Sequence, residues 1–127
     1  MMTPETNKGK KVIKVTELTA AAAYAEAWNR LDPSEFIGML DPDVCYSSQW
    51  VLEDLVGQEN VANYLTKKMQ TVKKAGATVY TEVAQTRAGK TCVLLAQGDK
   101  KNVNALVLFD VDHDKVTRFD MCVPDLY

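Results

Sequence analysis

Little in this chain of 127 residues narrows its chemistry at once. It has one histidine, His113, and three widely spaced cysteines, Cys45, Cys92 and Cys122, with no Cys-x-x-Cys among them. That leaves no recognisable zinc site and no disulfide framework. Each cysteine falls in a strand-like stretch, where a thiol behaves as a small apolar side chain. The six glycines are scattered, so no glycine-rich loop is available to cradle a phosphate. Neither a metal, a nucleotide nor any other cofactor is expected. There is no basic excess either. Fifteen Lys and Arg stand against seventeen Asp and Glu, a net charge of −2, which argues against a nucleic-acid or anionic-membrane partner. No apolar run is long enough to span a bilayer, and Met1–Lys8 lacks the apolar centre of a secretion signal. A cytoplasmic, reducing location is the expectation.

What is present is an ordinary globular composition, 46% hydrophobic and 25% charged, in a chain long enough for one self-supporting core. Residues 1–15 are polar and lysine-rich and read as a flexible N-terminal arm, leaving residues 16–127 as a single domain. The lysines at 67, 68, 73 and 74 read as the solvated face of a helix.

Thr16 is placed to cap a helix whose apolar positions Leu18, Ala21/Ala22, Ala25, Trp28 and Leu31 recur at helical spacing. Tyr24 lies one turn before Trp28, so both rings point the same way. Asp32-Pro33-Ser34-Glu35 predicts the start of a short second helix, with Asp32 and Glu35 at capping-box spacing. Asp41-Pro42-Asp43 predicts a turn, and Val44–Val51 a strand with faces Val44/Tyr46/Ser48/Trp50 and Cys45/Ser47/Gln49/Val51. A brief return strand at Leu55-Val56 follows. Gly57 introduces a third helix with the stripe Val61, Tyr64/Leu65, Met69 and Val72, closed by Gly76. Strands are predicted near 77–86, 91–98, 103–111 and 116–123, joined by short turns and hence antiparallel. The order ααββαββββ implies an α+β fold, three helices packed on one face of a curved, mainly antiparallel sheet.

Three local patterns, Tyr24-x-x-x-Trp28-Asn29-x-x-Asp32, Met39-Leu40-x-Pro42-Asp43-Val44 and Gly57-x-x-x-Val61-x-x-Tyr64-Leu65, occur in an order that resembles the nuclear transport factor 2-like superfamily, also called the SnoaL-like or cystatin-like cone. The resemblance spans residues 16–123. It implies a conical cavity between the sheet and the helices, and commonly a homodimer through the outer sheet face. Members include isomerases, cyclases, dehydratases, epoxide hydrolases and non-catalytic adaptors, so the fold leaves the activity open.

The steroid isomerases of that superfamily use a tyrosine, a carboxylate base and a protonated aspartic acid. Laid without gaps on this chain, the tyrosine falls on Tyr24, the base on Ser48 and the aspartic acid near Leu106. A serine without a partner base does not abstract a proton at neutral pH. His113 reads as a hairpin-tip residue, and Arg118 with Asp120 as a cross-strand or dimer-interface ion pair rather than an epoxide-opening relay. Tyr24 and Ser48 remain the candidate catalytic groups. The candidate ligand-binding set is Tyr24, Trp28, Phe36, Tyr46, Ser48, Trp50, Tyr64, Phe119 and Met121, an apolar cavity with a few polar handles for a small hydrophobic or aromatic molecule. Gln49 and Glu53 are candidates for polar contacts at its mouth. Two readings stay open. One is a small-molecule pocket protein, with or without lyase or isomerase activity. The other is a dimeric interaction module with a vestigial cavity, suggested by the apolar strand face Val103/Ala105/Val107/Phe109.

Overall fold

The computed structural model describes residues 14–49, 53–99 and 101–124. The expected arm falls almost wholly outside these residues, and so does Trp50. The first helix, α1, runs Glu17–Arg30. Thr16 caps it in a reciprocal box. The Thr19 backbone N–H donates to Thr16 Oγ1 at 3.1 Å, and the Thr16 N–H donates to Thr19 Oγ1 at 2.7 Å. Its buried stripe is Ala20, Ala21, Tyr24, Ala27 and Trp28, not one beginning at Leu18, which is 60% exposed. The helix is rotated so that two large rings go inside, and burying them outweighs leaving one leucine in water. The buried alanines let α1 lie close against the sheet.

The second helix, α2, is a single turn, Ser34–Ile37. Asp32 Oδ1 accepts from the Ser34 N–H at 3.0 Å and from Ser34 Oγ at 2.6 Å. The capping box expected with Glu35 does not form, because the Asp32 N–H is already donated to the Ala27 carbonyl at 2.9 Å. Asp41-Pro42-Asp43, expected as a turn, lies instead inside strand β1, Leu40–Ser48. The pairing register slips between Leu40 and Cys45, so the proline sits where no ladder hydrogen bond is required of it.

Strand β2 (Leu55–Val56), helix α3 (Gln58–Ala75) and strands β3 (Val79–Gln85), β4 (Thr91–Gln97), β5 (Ala105–Asp112) and β6 (Lys115–Cys122) complete the order expected from the sequence. Gly76 ends α3 in the left-handed conformation at φ +70°. The six strands form one sheet in the order β2-β1-β6-β5-β4-β3. Its only parallel pair, among the described residues, is β1 with β6, where Tyr46 faces Phe119 and Ser48 faces Met121. Helix α1 covers β3, β4 and β5, and α3 covers β1 and β2.

The core lies between helices and sheet and is built around rings. Tyr24 meets Phe36, Phe109 and Phe119 edge-to-face at centroid distances of 5.1, 5.4 and 5.9 Å. Phe119 also packs on Phe36 at 5.2 Å and on Tyr46 at 4.6 Å. Ala105, Val107 and Phe109 of β5 belong to this core, while Val103 is exposed. The β5 face singled out in the sequence is therefore the inner one. The outward-facing set is Leu106 and Leu108, in register with Leu94 and Cys92 on β4.

Candidate functional site

A cavity of about 310 Å³ opens where the C-terminal part of α1, the middle of α3 and the ends of five strands converge. Trp28 comes from α1, Tyr64 and Lys68 from successive turns of α3, Ser48 from β1 and Met121 from β6. Val79, Leu95 with Gln97, and Asn104 with Ala105 complete the wall from the other side. The deep surface is apolar. Trp28, Val79, Leu95, Ala105 and Met121 are each no more than 8% exposed. Lys68, Gln97 and Asn104 are exposed and form the mouth.

The structure brings four members of the sequence-derived set, Trp28, Ser48, Tyr64 and Met121, onto this wall. Tyr24, Phe36, Tyr46 and Phe119 lie in the aromatic core, each no more than 2% exposed. Their spacing on α1, α2, β1 and β6 marks the inner face correctly. It carries no information on which inward side chains meet one another and which stop short and leave a void. Gln49 is tied down, its Oε1 accepting from the Val123 N–H at 3.1 Å. Leu106, where the steroid isomerase alignment lays an aspartic acid, is 3% exposed and sits outside the main core cluster.

The Tyr46 ring is 5.4 Å from Tyr64, and its hydroxyl contacts Met121 Sδ at 3.9 Å. Burial pushes the Tyr46 hydroxyl well above the ordinary tyrosine range; the neighbouring Tyr24 and Tyr64 add to this, and the Ser48 hydroxyl opposes it. Tyr24 is pushed up in the same way, chiefly by burial. The Trp28 indole N–H is close enough to favour the Tyr24 anion weakly, yet the contact lacks hydrogen-bond geometry. Tyr24 Oη and Trp28 Nε1 are thus both buried without a hydrogen-bond partner among the described residues. On the outer turn of α3, Lys68 Nζ donates to the Tyr64 hydroxyl at 3.3 Å and lies 5.6 Å from its ring centroid.

Lys68, Gln97 and Asn104 were not singled out by the sequence. Two signals were available. Lys68 stands one helical turn after Tyr64, and Gln97 shares the inward face of β4 with Val93 and Leu95.

Among the described residues the cavity wall holds no carboxylate and no imidazole. His113 is exposed at a hairpin tip, where it and Asp114 take left-handed φ values of 52° and 60°. Arg118 and Asp120 do pair, but within one strand rather than across strands, with Nη2 to Oδ1 at 2.9 Å. Arg118 Nη1 also reaches Cys45 Sγ at 3.3 Å. Cys45 and Arg118 are register partners on the face of β1 and β6 opposite Tyr46 and Phe119, so this cluster is outside the cavity. No group of residues with metal-ligand arrangement occurs among the described residues. No helix among them is long and apolar enough to cross a membrane.

No family model matches the sequence, and no curated protein matches it. Solved structures do match the fold. A SnoaL-like protein of unknown function from Burkholderia thailandensis superposes with a TM-score of 0.64 at 16% identity, over 86% of this chain and 97% of that one. An NTF2-like protein from Anabaena variabilis gives 0.61 at 14% identity, over 95% and 92%. A LEH-like epoxide hydrolase of M. tuberculosis gives 0.59 at 16% identity, over 84% and 81%. The chain has the nuclear transport factor 2-like, or cystatin-like, α+β fold.

Proposed function

We propose that this chain, folded as a nuclear transport factor 2-like cone, binds a small hydrophobic or aromatic molecule in the cavity beside Trp28. The observation that carries the reading is the cavity itself, about 310 Å³ with a buried apolar lining and a few polar groups converging on it. Small-molecule sites combine those features, at volumes of roughly 300–1,000 Å³. Trp28, Tyr64, Ser48 and Met121 contact the ligand directly in this reading, with Tyr24, Phe36, Tyr46 and Phe119 supporting the wall from behind. Binding or transport is favoured over lyase or isomerase chemistry, because Ser48 is the residue where a carboxylate base would be needed. The epoxide hydrolase that shares the fold supports a cavity of this type handling small organic molecules.

Ala105 faces the void and is 6% exposed, so Ala105→Phe projects a ring into the cavity. The expected result is a folded variant that no longer binds 2-naphthylmethanol, followed by isothermal calorimetry against the wild type. Equal affinity in a folded Ala105→Phe variant refutes the site.

The adaptor reading has one observation in its favour. Tyr80, Leu94, Leu106 and Leu108 give the outer sheet face an apolar character, and Tyr80 is 39% exposed. A sheet apolar on both faces wants cover on both. This supports a homodimer through that face, whether or not the cavity is used. Light scattering at micromolar concentration reads the mass, and a monomer argues against the pairing. A net charge of −2 supports the absence of nucleic-acid and membrane partners, and the thiols at Cys45, Cys92 and Cys122 support a reducing cytoplasmic setting.

A further inference from the structure

We infer that the cavity selects an organic anion, a small carboxylate with a flat apolar body. The apolar body enters beside Trp28, and the carboxylate stays at the mouth between Lys68, Asn104 and Gln97. The inference rests on the small-molecule reading and adds the charge and orientation of the ligand.

The mouth is rich in donors and, among the described residues, has no acid. Lys68 Nζ is held over it by the 3.3 Å hydrogen bond to Tyr64 and the contact with that ring, and among the described residues it forms no ion pair. The other lysines of α3 are Lys67, Lys73 and Lys74, and its one acid, Glu59, stands in the first turn, so the stretch around Lys68 adds positive potential rather than a competing carboxylate. Asn104 has a fixed orientation. Its Oδ1 accepts from the Gln97 N–H at 2.9 Å, which leaves the Nδ2 hydrogens for a ligand. The Gln97 side chain adds a further amide donor on the same rim. An ammonium with two amides opposite it matches the two oxygens of a carboxylate, whose charge would otherwise be lost to the apolar wall. A neutral ligand of the same shape leaves the ammonium uncompensated, and a cationic one is repelled by it.

The test compares 2-naphthoate with 2-naphthylmethanol, two probes with the same ring system and a difference of one charge. Calorimetry on the full chain is expected to show the acid bound about fivefold more tightly, the range open to a half-exposed charge pair, with the preference shrinking as salt is raised. Lys68→Gln abolishes the preference, read as the ratio of the two probes' affinities for the same folded variant. Lys67→Gln, one residue away and exposed, keeps the preference, which separates a local contact from the general field of the helix. Equal binding of the two probes by the wild type, or a preference that survives Lys68→Gln, overturns this inference and leaves the small-molecule reading standing. Failure of both probes to bind defeats the small-molecule reading and this inference with it.

Discussion

Removing the hydroxyl of Tyr24 should make this protein more stable. The side chain is 0% exposed, and its Oη has no hydrogen-bond partner among the described residues. An unsatisfied buried hydroxyl costs about 1–3 kcal/mol relative to one left in water. Tyr24→Phe removes that cost and keeps the edge-to-face contacts with Phe36, Phe109 and Phe119. Two smaller effects oppose the gain. The weak attraction between the hydroxyl and the Trp28 N–H is lost. The oxygen also leaves a void of order 10 Å³, which at about 24 cal/mol per Å³ costs about 0.2 kcal/mol. The expected balance is a gain of about 1 kcal/mol, or about 3–5 °C in Tm for a domain of this size. Urea unfolding followed by tryptophan fluorescence, with calorimetry at neutral pH, measures it. Tyr24→Ala is the contrast, since loss of the ring costs about 3–5 kcal/mol. A Tyr24→Phe variant destabilised by 1 kcal/mol or more, on the order of one hydrogen bond, refutes the reasoning. Its hydroxyl would then be bonded in solution.

Two further outcomes follow from the same core. Burial holds Tyr24 and Tyr46 protonated above the value of about 10 for an unfolded tyrosine. The folded state therefore binds more protons than the unfolded state above that pH, and the stability is complete below about pH 10 and falls as pH rises past it. The slope reaches about 1.4 kcal/mol per pH unit for each tyrosine, so Tyr24→Phe should roughly halve this part of the alkaline loss in unfolding titrations between about pH 9 and 11. Phe119 packs against four rings, and Phe119→Ala should cost about 3–5 kcal/mol in urea unfolding, while Phe119→Leu, closer in volume, should cost under about 1.5 kcal/mol.

Much of the fold was legible because its signals are local. Thr16 caps α1, Gly76 ends α3 in a left-handed turn, and His113-Asp114 turns the last hairpin, each through the conformation of one or two residues. Alternation along β4 and β5 likewise assigns Leu95 and Val107 to the same face without knowledge of their partners. Features decided by competition between local options were not legible in the same way. The Asp32–Glu35 box failed because Ala27, five residues upstream, had taken the Asp32 N–H. Leu18 was left outside because Tyr24 and Trp28 set the rotation of the helix.

The chain's own pattern of caps, turns and periodicities determined the order of elements, the curved α+β layering and the inward direction of Tyr24, Trp28, Tyr46 and Phe119. Tertiary structure alone decided where the inward side chains fail to meet. The cavity is a property of distances between α1, α3 and five strand ends, and no single segment encodes it. For the same reason Lys68, Gln97 and Asn104, far apart in the chain and polar enough to read as surface, became its mouth only when the strands closed beside α3.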